Sequence, residues 1–127
     1  MKPVPAVAVG AVIGAGFRYA ITNTTGVDQI WSTLVINLLG SFALGLVLIH
    51  GERFLKLVPS LQPVWRPFLA TGLLGGFTTT SAFAVQSIEL LQQANQFKFL
   101  ILFSISIIGG LVAFHIAQKI AVKGLAK

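Results

Sequence analysis

Gly72-Leu73-Leu74-Gly75-Gly76-Phe77-Thr78-Thr79-Thr80-Ser81-Ala82-Phe83 is rich in glycine and hydroxyl groups, carries no charge, and sits in a chain that is otherwise strongly apolar. Lipid supplies no water to unpaired backbone amides. A segment this poor in helix formers is therefore tolerated at bilayer depth only where it lines a cavity or packs on protein. The stretch reads as a break in a membrane helix, and such a break is a candidate ion site.

Its surroundings put it in a membrane. The 127 residues are 55% hydrophobic and only 9% charged, against roughly 25% charged in soluble domains, and the mean hydropathy is +0.88. The fold class expected is an all-α integral membrane protein. Four runs approach the about 20 residues needed to cross a hydrocarbon core, at roughly 3–21, 30–50, 67–91 and 97–118. The first run has no small-residue cleavage site ahead of a polar domain, so it reads as a span rather than a removable signal. The connectors are short and turn-rich, with Asn23, Gly26 and Asp28, then Pro59 and Pro63, then Gln92 to Gln96. They imply antiparallel neighbours in a single four-helix membrane domain over residues 1–127. In the third run Gly72, Gly75 and Gly76 precede Thr78, Thr79, Thr80 and Ser81. That order favours local unwinding, so this helix is expected as two halves with a kink.

Charge and chemistry narrow the function. With no cysteine, disulfides and thiolate metal sites are excluded. The net charge of +6 is a matter of topology, not of nucleic acid, because its distribution is one-sided. With four spans, Lys2, Arg53, Lys56, Arg66, Lys119, Lys123 and Lys127 collect on one side and only Arg18 and Lys98 on the other. Both termini are then expected in the cytoplasm. Trp31 and Trp65 flank spans as interface anchors, and His50 and His115 lie near span ends without a second ligand at metal-binding spacing. No nucleophile, base and orienting group converge, so the chain is not read as an enzyme.

Three motifs carry a resemblance. Gly10-x-x-x-Gly14-x-x-x-Arg18-Tyr19 in the first run, Val35-Ile36-Asn37-Leu38-Leu39-Gly40 with Gly45 in the second, and Thr71 to Thr79 in the third resemble the Fluc (CrcB) family of small fluoride channels. The first pattern alone is weak, since small residues four apart pack many pairs of membrane helices. The resemblance implies an antiparallel, dual-topology-type dimer of four-helix subunits in the cell inner (plasma) membrane. Such a dimer exports fluoride passively through two narrow pores and holds a structural sodium ion at its centre.

Carried onto this sequence, the resemblance gives each site residue a role. Fluoride is small and tightly hydrated, so its water must be replaced by hydrogen-bond donors without trapping the ion beside a fixed cation. Asn37 matches the family's pore asparagine and offers an amide NH2 in mid-span. Thr79 and Ser81 offer hydroxyls. Phe83 matches the second pore phenylalanine, whose ring edge is positive. The residues matching the sodium ligands are Gly75 and Thr78, through carbonyls suited to a hard cation. Arg18 aligns with a family arginine read as structural, with a vestibule role as the alternative.

Departures from the family pattern are informative. Where the usual run reads Thr-Phe-Ser-Thr-Phe, this chain has Thr79-Thr80-Ser81-Ala82-Phe83, so Thr80 replaces the first pore phenylalanine. The fourth run offers Ser104 and Ser106, followed by Gly109, Gly110 and Phe114. One of the two pores is accordingly suspect. The seven-to-two cation split also disfavours insertion in both orientations. Alongside an antiparallel homodimer stands a heterodimer with an oppositely oriented paralogue, in which this chain is a poorly conducting subunit. A small multidrug-type transporter is the remaining rival, but its proton coupling needs a carboxylate at the centre of a span, and Asp28, Glu52 and Glu89 are not so placed.

Overall fold

A computed structural model describes residues 3–24, 26–57 and 62–125, and among these every element is helical. Helix α1 covers Pro3–Thr24 and α2 covers Gln29–Leu57. The third span opens with α3, Gln62–Arg66, passes through a π-helical stretch at Pro67–Leu74 and ends its first half with α4, Gly75–Phe77. Helix α5, Thr80–Gln92, completes it. The fourth span is α6, Gln96–Ser104, a π-helical stretch at Ile105–Gly109, and α7, Gly110–Leu125. Among the described residues four helices are thus long and apolar enough to cross a membrane, which makes this a multi-pass membrane protein. Lys2, Pro59 and Lys127 lie outside the described residues, as do the side chains of Glu52 and Arg53.

Local chemistry sets the helix ends. Gly26, at φ +61°, turns the first connector in the left-handed region open to glycine. Asp28 then caps α2, its Oδ1 accepting from the Ile30 N–H at 3.1 Å and its carbonyl from the Ser32 N–H at 3.0 Å. The turn after α5 closes with the Asn95 N–H donating to the Leu90 carbonyl at 2.9 Å, and the Asn95 side chain caps α6 by accepting from the Lys98 N–H. Helix α2 runs further than its apolar stretch, since α2 continues through Lys56 at its polar end. Proline at 67 begins the π-helical stretch: it has no N–H to give to the carbonyl four residues back.

The packing is not that of simple sequential neighbours. Helix α1 lies along the first half of the third span, and α2 along α7. In both pairs the contacts advance together along the two chains: Gly10 meets Gly72 and Ala11 meets Gly76, while Ser41 meets Gly110 and Gly45 meets Phe114 and Ala117. The closely packed partners are therefore alternate, parallel spans. A Cβ on Gly72 would lie 3.1 Å from the Gly10 Cα, and one on Gly76 would lie 2.9 Å from the Ala11 Cα, so this seam is backbone against backbone. A small apolar cluster of Leu34, Leu90 and Leu102 joins α2, α5 and α6. Most other large apolar side chains are exposed, as suits a surface solvated by acyl chains.

Within the stretch rich in glycine and hydroxyl groups, the third span leaves helical geometry at its threonines and not at Gly75. Gly75 keeps helical dihedrals, φ −65° and ψ −35°. Two threonines are extended instead, Thr78 at φ −76°, ψ 157° and Thr79 at φ −148°, ψ 112°. Close packing on α1 holds Gly72 and Gly76 helical, overriding their low propensity.

Candidate functional site

Thr78 and Thr79 sit where the third span faces α2, and each is held by side-chain chemistry. The Thr78 hydroxyl and N–H both donate to the Leu74 carbonyl at 2.9 Å, and its methyl Cγ2 packs on Gly40. Buried Thr79 is gripped by Asn37. The Thr79 N–H donates to Asn37 Oδ1 at 2.8 Å, and Asn37 Nδ2 donates to the Thr79 carbonyl at 3.1 Å. This reciprocal pair satisfies the amide and carbonyl of a buried, non-helical residue within an apolar span. Thr79 Oγ1 in turn accepts from the Ala82 N–H at 3.1 Å, capping α5, and lies 3.2 Å from Ser81 Oγ.

A groove of about 530 Å³ opens on one side of this clamp. Asn37, Gly75, Thr78, Thr80 and Phe83 line it, together with Ser106 from the fourth span, and no charged side chain is among the described residues that do so. A carboxamide carries two hydrogens, and Asn37 spends one of them on Thr79. Thr80 and Phe83, three residues apart on α5, share the groove-facing side. The Phe83 ring meets Phe103 at 6.1 Å between centroids and 33° between planes. Ser106 Oγ is buried and has no hydrogen-bond partner. Gly75, Thr80, Phe103 and Ile107 are exposed, so the groove is open along one flank.

A second cavity of about 600 Å³ reaches the other side of the clamp, where Thr79 lines it with Arg18, Tyr19, Thr22, Thr33 and Gln86. Arg18 is half-buried, and its Nε makes no hydrogen bond. Gln86 is buried, donating to Thr33 Oγ1 at 2.9 Å and to the Gln29 carbonyl at 3.2 Å.

Most of the residues singled out in the sequence meet here. Asn37, Thr80, Phe83, Gly75 and Thr78 line the groove, Thr79 divides it from the second cavity, and Arg18 lies in that cavity. Ser81 is exposed and lines neither, although it touches Thr79. Gln86 was not singled out, yet an uncharged amide three residues beyond Phe83 in an apolar run is a readable signal. Phe103 was also passed over, because one phenylalanine among ten carries no mark of its own.

The chain has known counterparts by sequence. Residues 5–118 match the family described as CrcB-like protein, Camphor Resistance (CrcB). The chain belongs to the CrcB family. It is 38% identical over 109 residues to a protein of Leptospira interrogans serogroup Icterohaemorrhagiae serovar copenhageni, covering 83% of each chain. It is 40% identical over 117 residues to one from Chloroflexus aurantiacus, covering 89% of this chain and 90% of the relative. A third relative, from Legionella pneumophila strain Paris, is 37% identical over 127 residues, at 95% and 90% coverage. All three relatives bear the name fluoride-specific ion channel FluC.

Proposed function

We propose that this CrcB-family chain is a subunit of a fluoride-selective channel that lets fluoride leave the cytoplasm passively across the inner (plasma) membrane. The observation that carries the reading is the uncharged groove lined together by Asn37, Thr80, Phe83 and Ser106, residues that carry an amide NH2, two hydroxyls and an aromatic ring. Neutral donors can replace the water of a small anion without the deep trap that a lysine or arginine would make in a low-dielectric site. Ser106, buried and unpartnered, is a donor waiting for an acceptor. Thr79, which lines the second cavity, and Ser81, whose Oγ is 3.2 Å from that of Thr79, add hydroxyls beside the groove. Arg18 lies off the groove, where its charge would draw anions toward the second cavity without binding them in the pore.

Assembly follows from the open flank. Thr80, Ser81 and Gly75 are exposed in the middle of an apolar span, and a second subunit covering them would spare those polar groups from lipid. The dimer proposed is antiparallel, with the break of each subunit at the shared centre. There the carbonyls of Gly75 and Thr78 from each protomer would hold a sodium ion. The donor set fits: neutral carbonyl oxygens at a helix C-terminus suit a hard cation and need no carboxylate. Sodium bound there would supply a fixed positive charge that holds the two subunits together. Both termini of this chain would face the cytoplasm.

Fluoride efflux from liposomes carrying the purified chain tests the proposal. Wild type should empty them, and Asn37→Asp and Phe83→Ile should slow the flux. Three equal rates would remove these residues from the pathway.

A second reading is favoured by one observation, the seven-to-two split of lysine and arginine between the two sides. That bias should fix a single orientation, making the partner an oppositely inserted paralogue and this chain the weaker conductor. Thr80 in place of an aromatic points the same way. A reporter fused to the C-terminus should then be found only inside the cell, whereas comparable inside and outside populations would restore the homodimer.

A further inference from the structure

In an unbroken α-helix the Thr79 N–H would close on the Gly75 carbonyl and the Ala82 N–H on the Thr78 carbonyl. Both donors are taken by side-chain oxygens instead, Thr79 N–H by Asn37 Oδ1 at 2.8 Å and Ala82 N–H by Thr79 Oγ1 at 3.1 Å. The two carbonyls thereby lose their helical partners, and they belong to the two residues proposed above as sodium ligands. Thr78 is pinned as well: its hydroxyl donates to the Leu74 carbonyl and its methyl packs on Gly40. The flank of Gly75 is open, the nearest neighbour of an added Cβ being the Ala70 carbonyl at 3.8 Å.

We infer that Asn37 and Thr79 are positioning residues of the cation site: by capturing the Thr79 and Ala82 N–H groups they free the Gly75 and Thr78 carbonyls for sodium. This rests on the proposed central cation. Its consequence is that one chain of hydrogen bonds, from Asn37 through Thr79 to Ala82, shapes both the anion groove and the cation site. Asn37 needs only its oxygen for the cation role, whereas its NH2 serves the anion. The two roles are therefore separable by substitution.

The test is the thermal unfolding midpoint of the purified protein in detergent, titrated with sodium at constant ionic strength against potassium, with fluoride efflux measured in parallel. Wild type should be stabilised saturably by sodium. Thr79→Val removes the acceptor and should raise the half-saturating sodium concentration by roughly 10–100-fold, as loss of a group that orients metal ligands does. Thr79→Ser restores the hydroxyl and should return it to the wild-type value. Asn37→Asp keeps an oxygen for the Thr79 N–H and should retain the sodium response while losing flux; Asn37→Leu should lose both. Loss of a merely structural cap would lower the midpoint equally in sodium and potassium. A wild-type half-saturation in Thr79→Val overturns the inference, and so does an Asn37→Asp protein as blind to sodium as Asn37→Leu. Should Thr79→Val fail to fold, the Asn37 pair decides. A wild-type protein that conducts fluoride but ignores sodium would instead overturn the cation reading itself, and this inference with it.

Discussion

Gly72 and Gly76 on one hand, and Thr78 and Thr79 on the other, are neighbours in sequence and opposites in how they are held. The glycines lie against α1 with backbone on backbone, a Cβ on Gly76 coming within 2.9 Å of the Ala11 Cα. The threonines are held off the helix by a few hydrogen bonds, chiefly the reciprocal pair with Asn37. The first region depends on volume that is either absent or fatal, because packed backbones cannot yield locally. The second depends on hydrogen bonds, each of modest net worth and each replaceable without repacking a helix. Substitutions in the seam should therefore abolish the protein, and those at the break should alter what it transports.

The largest effect is expected at Gly14, where a side chain would collide with the Leu73 carbonyl and lie 2.8 Å from the Phe77 nitrogen. Gly14→Leu should give no monodisperse protein in size-exclusion chromatography, and a well-behaved variant would break the contrast. Asn37→Leu comes next: it should remain folded by circular dichroism yet lose about 10–100-fold in fluoride flux, from loss of a hydrogen bond to the anion worth about 1.5–3 kcal/mol. Phe83→Ile removes the ring edge while keeping an apolar side chain, and should slow flux by about 2–10-fold, the scale of an aromatic contact. The smallest effect belongs to Gly16, which has nothing within 4 Å of an added Cβ. Gly16→Ala should match wild type in both yield and flux, which separates glycines of the seam from those that merely share its helix.

How far each region was readable in the sequence follows from the same difference. Small residues four apart in α1 are a local pattern, and they mark a close-packed face before any partner is known. The glycine- and threonine-rich stretch of the third span marked where the helix would be interrupted but not at which residue, because propensity is local whereas α1, which holds Gly72 and Gly76 helical, and Asn37, which takes the Thr79 N–H, are remote in sequence. Asn37 and Thr79 were visible as polar groups in apolar runs. That they grip each other was not, since 42 residues separate them. Gln86 and Thr33 stand 53 residues apart and were joined only by folding.

What the sequence determined by itself is the solvent and the number of crossings: hydropathy sums along the chain, so four apolar runs and a one-sided distribution of cations need no tertiary information. Only the tertiary structure decided which spans lie together in parallel, that the backbone opens at Thr78 and Thr79, and which side chains take the N–H groups released there. The physical reason is that a membrane leaves no water to satisfy an open backbone, so the place where a helix can break is set by the remote residue able to replace its hydrogen bonds.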